Sequence, residues 1–164
     1  MSESIVIRRE SPDQPDVRAA LAALDDYLGS LYPPEANHIL DVEALLEPSV
    51  RFFVARDGAA AVGTLVGTAA VRCMPGEPAT DGAPYGEIKR MYVNPARRGE
   101  RLGVRLLATL EDTLRAEGVR LALLETGRDQ HEAVRLYERA GYRPRAAFGG
   151  YPDNGLSVFY GKVL

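Results

Sequence analysis

The sequence has a single cysteine, Cys73, and only two histidines among its 164 residues. One thiol cannot form an intrachain disulfide or a thiolate zinc cluster, and two histidines are too few for most metal centres. We therefore predict no metal site and a protein from a reducing compartment. The N-terminus lacks the apolar region of a signal peptide, so the expected location is the cytoplasm.

Charge of one sign and long hydrophobic runs are also missing. Twenty basic residues stand against 23 acidic ones, for a net charge of −3. General nucleic-acid binders are usually basic, so we expect no nucleic-acid partner. No apolar run approaches the ~18 residues of a membrane span, so we expect no membrane partner either. The length predicts one domain over residues 1–164, acting as a monomer or homodimer.

Hydrophobic periodicity predicts elements in the order β-α-α-β-β-β-α-β-α-β-β. The first helix is predicted from apolar residues that share one face: Val17, Leu21, Leu24 and Leu28. Asp129 and Glu132 are spaced as a capping-box variant at the start of a helix over 130–140. The order predicts an α/β fold with a mixed sheet covered by helices. From Tyr85 onward, crossover helices should give the strands parallel character.

The segment from Glu87 to Leu107 carries the strongest chemical signal. A predicted strand runs into an Arg/Gly turn that opens directly into an amphipathic helix. The first N–H groups of a helix have no helical partner, and the helix dipole adds positive charge there. Gly99 and Gly103 let a ligand approach the backbone, and Arg98 and Arg101 add formal charge. The turn therefore predicts a phosphate or pyrophosphate site; the alternative is an ordinary turn with solvated arginines.

Two motifs in this region resemble a known family. Arg98-Gly-Glu-Arg-Leu-Gly103 resembles the Gln/Arg-x-x-Gly-x-Gly/Ala signature of the GNAT superfamily of N-acetyltransferases. Residues 133–142, Ala-Val-Arg-Leu-Tyr-Glu-Arg-Ala-Gly-Tyr, are similar to its second helix motif. Arg101 departs from the signature, which most often has glycine there. The resemblance implies an acyl-CoA N-acyltransferase fold: a mostly antiparallel central sheet with one splayed parallel strand pair and flanking helices.

The resemblance also implies acetyl-CoA as co-substrate. Pantetheine would lie between the splayed strands and pair with main-chain groups, as an added strand would. The pyrophosphate would sit on N–H groups of the turn. The cofactor-binding residues implied in this way are Met91, Tyr92, Val93, Arg98, Gly99, Glu100, Arg101, Leu102, Gly103 and Val104.

Acetyl transfer to an amine requires a base for the ammonium proton and a donor for the leaving thiolate. We predict Glu87 as the base, the alternative being a strand-face ion pair with Lys89. Glu125, at the end of the next strand, is the rival base. With the family resemblance, Tyr137 becomes the predicted general acid; the alternative is a core aromatic with a satisfied hydroxyl.

The acceptor side is predicted from two segments rich in proline and hydrogen-bonding groups. Residues 32–38 and 148–154 flank the acceptor entrance in related folds, although both can also be read as surface turns. The substrate-contact candidates are Tyr32, Glu35, Asn37, Glu125 and Tyr151. The leading hypothesis is an acetyl-CoA-dependent N-acetyltransferase that acts on a small primary amine by direct transfer in a ternary complex. The alternatives are a protein lysine or N-terminal acetyltransferase and a non-catalytic acyl-CoA sensor.

Overall fold

The structure is a computed structural model that describes residues 4–34, 37, 39–58 and 63–164. The strands are β1 (Ile5–Arg9), β2 (Val50–Asp57), β3 (Thr64–Met74), β4 (Tyr85–Val93), β5 (Leu121–Gly127), β6 (Arg143–Arg145) and β7 (Ser157–Val163). The helices are α1 (Pro15–Leu31), α2 (Val42–Leu45), α3 (Leu102–Ala116) and α4 (His131–Arg139). The described residues also form two short 3-10 helices, Pro78–Thr80 and Pro95–Arg97. The predicted element order is confirmed.

The strands form one sheet in the order β1-β2-β3-β4-β5-β7-β6. Among the described strands, only β4 and β5 pair in parallel, and every other neighbouring pair is antiparallel. The expected parallel character therefore holds for β4 and β5 and is wrong beyond them. β7 lies between β5 and β6 and pairs antiparallel with both, so the crossover through α4 does not bring β6 beside β5.

β4 and β5 separate after a short paired stretch. Their register contains only two pairs, Gly86 with Ala122 and Glu87 with Leu123, although both strands continue. β4 then bulges: Arg90 has a left-handed backbone (φ 55°), and the register with β3 shifts there. A bulge bends a strand and increases its twist. The result is the splayed parallel pair expected of the fold.

Helices cover both faces of the sheet. The leucines of α3 pack on one face with Ile88 and the inner face of α4. On the other face, Val17 and Leu21 of α1 pack with α2 against β2. The alternation of side chains along β2 supplies both cores. No helix among the described residues is long and apolar enough to cross a membrane.

The turn before α4 differs from the prediction. Gln130 is the N-cap and makes no side-chain cap, so the proposed capping box of Asp129 and Glu132 is wrong. The Gln130 carboxamide oxygen instead accepts hydrogen bonds from Thr126 Oγ1 (3.1 Å) and from Gly127 N (2.8 Å). These bonds fix the end of β5 against the start of α4, because both donors belong to the strand.

Candidate active site

A cavity of about 990 Å³ opens where β4 and β5 separate. Its walls come from these two strands, α1, the start of α3, and α4. The predicted site residues that line it are Met91, Tyr92, Val93, Arg98, Gly99, Arg101, Leu102, Gly103, Val104, Tyr137, Tyr32, Asn37 and Glu125. Glu87, Glu100 and Tyr151 are not among the lining residues. Glu35 lies outside the described residues.

The turn before α3 has the backbone geometry of a ligand loop. Arg101 is the helix N-cap and has a left-handed backbone (φ 62°), which explains why the family signature favours glycine at this position. An L-residue pays about 1–2 kcal/mol for that conformation. Gly99 also has a positive φ (90°), and a Cβ there would meet only open space. The first N–H groups of α3 therefore lie at a cavity wall that is open to an anion.

The charges of the turn are divided between structural pairs and the cavity. Arg97 is paired with Glu100 (2.6 Å) and with Asp57 (2.7 Å), and Arg98 with Glu132 (2.7 Å). The hydrogen bond from Arg97 lowers the pKa of Glu100. The Glu100 side chain is therefore engaged in an ion pair within the turn. Within the described part of the chain, Arg101 makes no salt bridge and lines the cavity, so its charge is available to a bound anion.

Gly103 has a packing role that the sequence did not indicate. A Cβ at this position would lie 2.8 Å from Leu136 Cδ2. The first turn of α3 is thus in contact with α4 at the residue before Tyr137. The absence of a side chain at Gly103 permits this close helix contact.

Tyr137 projects from α4 to the cavity with its ring buried. The ring packs edge-on to Tyr142, with centroids 6.0 Å apart. Among the described residues, none forms a hydrogen bond with the Tyr137 hydroxyl. Burial, and secondarily the charge of Glu125, raises the pKa of Tyr137 above its usual value near 10. The phenol is therefore protonated at neutral pH and can donate its proton to a ligand.

Two described carboxylates line the cavity: Glu132, which pairs with Arg98, and Glu125 near Tyr137. β5 extends further than predicted, so Glu125 is a strand residue paired in register with Phe159 of β7. Ser157 Oγ donates a hydrogen bond of 2.6 Å to Glu125 Oε2 and so fixes its orientation. Burial is the main cause that raises the pKa of Tyr32; the charge of Asp129 adds to it, and that of Glu125 adds less. A carboxylate, a protonated phenol and a second tyrosine thus share one end of the cavity.

Glu87 lies in a different environment from the one predicted for a base. Its side chain is buried (the residue is 1% exposed) and pairs with Arg72 and with Lys89, each at 3.3 Å. The hydroxyl of Tyr151 donates a short hydrogen bond to the same carboxylate. The structure therefore contains the strand-face ion pair that was the alternative reading. It does not bring Glu87 to the cavity wall.

Sequence analysis missed two kinds of cavity residue. Ser157 and Gln130 act through contacts between elements distant in sequence or across a turn, which leave no local pattern. Leu24 and Leu28 belong to the predicted apolar face of α1, but they line the cavity and not the core.

The described residues include no cluster of histidine, cysteine or acidic side chains that could hold a metal ion.

Comparisons with known proteins point to one family. The family model described as "Acetyltransferase (GNAT) family" matches residues 17–142. An IAA acetyltransferase of Azospirillum brasilense is 44% identical over 161 residues, 98% of this chain and 99% of the relative. A Klebsiella pneumoniae structure described as an acyl-CoA N-acyltransferase is 34% identical, with a TM-score of 0.77, covering 98% of this chain and 97% of that one.

A more distant structure supports the fold alone. The PaiA N-acetyltransferase of Thermoplasma acidophilum, in complex with coenzyme A, has a TM-score of 0.72 at 19% identity, covering 98% of this chain and 99% of that one. The family model and the 44% identical relative both span most of this chain. The protein is therefore a member of the GNAT family of acetyltransferases.

Proposed function

We propose that the protein transfers the acetyl group of acetyl-CoA to a primary amine of a small molecule, directly, in a ternary complex. One observation carries the proposal: a single cavity joins the N-terminus of α3 to a carboxylate, Glu125, and a protonated phenol, Tyr137. The first feature suits the phosphates of the donor. The other two suit the proton transfers of amine acetylation.

The residues present fit coenzyme A. The pyrophosphate would accept hydrogen bonds from N–H groups at the start of α3, and Arg101 would supply a positive charge. Met91 and Val93 lie beyond the paired part of β4, where no strand of the described residues pairs with it on the β5 side. Their main-chain groups would bind the pantetheine amides as an added strand does. Met91 follows the bulge residue Arg90, and a backbone N–H in this splayed strand would stabilise the developing oxyanion.

Glu125 and Tyr137 would divide the proton transfers between them. Glu125 takes a proton from the acceptor ammonium, directly or through water, because only the neutral amine attacks. As the new C–N bond forms and the C–S bond breaks, Tyr137 donates its proton to the departing sulfur. The positively charged nitrogen then loses its second proton, which returns through water to the Tyr137 phenolate and leaves a neutral amide. Glu125 is preferred to Glu87 as the base because it lines the cavity, whereas Glu87 is occupied by three partners. Glu87 remains the alternative, with Tyr151 as its hydrogen-bond donor.

An assay of coenzyme A release tests the proposal. Acetyl-CoA is offered with primary amines, with lysine-containing peptides and with peptides bearing free N-termini. Release with amines alone supports the proposal, whereas release with peptides alone assigns a protein acceptor. Binding of acetyl-CoA without release under any condition would identify a sensor. We further propose a cytoplasmic monomer or homodimer, which cell fractionation and light scattering would test.

A further inference from the structure

The second half of α1 and the segment that follows it give the cavity an apolar wall. The residues of this wall, called here the α1 wall, are Leu24, Tyr27, Leu28, Tyr32, Ile39 and Leu40. Tyr27 is 49% exposed, although it is a large side chain. Large apolar side chains exposed around a cavity mark a ligand site more often than a bare surface.

Core packing accounts for Tyr32, which is buried, and in part for Leu40, which packs against the core beneath α1, but it does not account for the rest of the α1 wall. Val17 and Leu21 lie on the same helical face and are buried against the sheet. One and two turns later, Leu24 and Leu28 are only half buried and join none of the buried clusters of the described residues. The apolar stripe of α1 therefore continues past the sheet and over the cavity. A second apolar surface is needed to cover it.

Tyr32 connects the α1 wall to the reacting end of the cavity. Its hydroxyl accepts a hydrogen bond of 3.0 Å from the backbone N–H of Asp129, and its ring lies against Gly127. Both contacts are within four residues of Glu125. From Leu24 to Tyr32 the helix rises about 12 Å. The wall thus begins near the carboxylate and extends over the length of a small substrate.

The donor would occupy other walls. The charged turn before α3 and the free edge of β4 suit the phosphates and the pantetheine, and both lie outside α1. The α1 wall is then the part of the cavity left for the acceptor. It combines an apolar surface with the carboxylate of Glu125 at its end.

We propose that the acceptor is a small primary amine with an apolar body, of the alkyl or arylalkyl class. Its ammonium lies at Glu125 and its body lies along the α1 wall, with Tyr32 closing the end nearest β5. This inference rests on the proposed function and adds the substrate class to it.

The test compares phenethylamine with ethanolamine. Both are primary amines of similar basicity, but the first carries an apolar phenyl group where the second carries a hydroxyl. We expect kcat/KM for phenethylamine to be at least about 10-fold higher, since burying a phenyl group gives a gain of that order or more. Tyr27→Ser should lower kcat/KM for phenethylamine by about 5- to 10-fold and change that for ethanolamine less than about 2-fold. Leu31→Ser is the matched control, because Leu31 is 37% exposed on the same helix and is not among the cavity residues.

Each outcome bears on the inference separately from the proposed function. Equal kcat/KM for the two amines, or an equal loss for both in Tyr27→Ser, would overturn the inference while amine acetylation stands. A loss in Leu31→Ser as large as in Tyr27→Ser would also overturn it. Coenzyme A release with neither these amines nor any other would overturn the proposed function itself.

Discussion

The ring of Tyr32 occupies the space that a side chain at position 127 would need. A Cβ built on Gly127 would lie 2.0 Å from the Tyr32 hydroxyl oxygen and 2.3 Å from Cζ. The same hydroxyl accepts the Asp129 N–H. These contacts hold the end of α1 against the end of β5 and the turn before α4. They also hold the α1 wall against the strand that carries Glu125.

Gly127→Ala should therefore destabilise the fold. Tyr32 must leave its buried position, and the Asp129 N–H loses its acceptor, so we expect the free energy of unfolding to fall by about 1–3 kcal/mol. Urea unfolding measures the change. Gly29→Ala is the matched control: a Cβ in this position of α1 meets nothing within 4 Å. It should raise stability by about 0.5–1 kcal/mol. Equal changes in the two variants would contradict the contact.

A charge at Val104 should separate donor binding from stability. Val104 lies in the first turn of α3, lines the cavity and is 46% exposed. Glutamate there interacts favourably with the helix dipole, so Val104→Glu should not lower the melting temperature of the free protein. It should weaken coenzyme A binding at least about 10-fold by repelling the phosphates. At 100 times the wild-type dissociation constant, the ligand's stabilisation would fall from about 2.7 to about 1.4 kcal/mol.

Val104→Gln is the uncharged control for that experiment. Its side chain has nearly the same size as glutamate, so steric effects on the ligand should be shared by both variants. Thermal shifts measured with and without coenzyme A give the comparison. An undiminished shift in Val104→Glu would mean that the phosphates bind elsewhere.

The strained backbone of Arg101 predicts an unusual effect of glycine. Arg101→Gly removes the cost of a left-handed backbone, which exceeds the entropy that glycine adds to the unfolded chain. We expect a gain of about 0.5–1 kcal/mol in the free protein, measured by urea unfolding. Arg98 has φ −67°, so Arg98→Gly should instead lose about that amount. Changes of the same sign in the two variants would show that strain at position 101 is negligible.

Tyr137→Phe should affect turnover much more than stability. The lost hydroxyl bonds to none of the described residues, whereas a donor that acts in the transition state is worth roughly 10- to 10³-fold in rate. The raised pKa of Tyr137 predicts a second result. In the wild-type enzyme, kcat/KM should rise as the amine loses its proton and should not fall from phenol ionisation below about pH 10.

Tyr142→Phe provides the opposite pattern and thus the control. The Tyr142 hydroxyl donates a hydrogen bond of 2.9 Å to the buried carboxylate of Glu111, away from the cavity. Its removal should lower the free energy of unfolding by about 1–2 kcal/mol and leave turnover near the wild-type value. Wild-type turnover in Tyr137→Phe would return Tyr137 to the role of a core aromatic.

The features that local sequence could predict are those encoded within one segment. The turn at 98–104 was predicted because its arginines, its glycines and the following leucine-rich helix are contiguous. The sequence showed that Arg101 departs from the family signature at this position. The left-handed backbone that makes this departure costly is visible only in the structure. The periodic face of α1 was predicted as well, although its division into a core half and a cavity half depends on where the sheet ends.

Contacts between distant segments were not predictable in this way. Glu87 and Tyr151 are 64 positions apart, and no local sequence pattern predicts their hydrogen bond. The insertion of β7 between β5 and β6 is a choice among pairings that the same strand pattern permits. The length of β5 was underestimated because Glu125 and Thr126 interrupt its apolar run, yet both take strand positions beside β7.

The most direct test of the account compares Glu125→Gln with Glu87→Gln in the pH dependence of kcat/KM for a primary amine. If Glu125 is the base, Glu125→Gln lowers the rate at neutral pH by roughly 10²-fold or more, and raising the pH partly restores it because more amine is already neutral. Glu87→Gln should lose less activity and should mainly lower the melting temperature, because Arg72 and Lys89 lose their carboxylate. A near-normal rate in Glu125→Gln, together with a pH-rescued loss in Glu87→Gln, would contradict the account and make Glu87 the base.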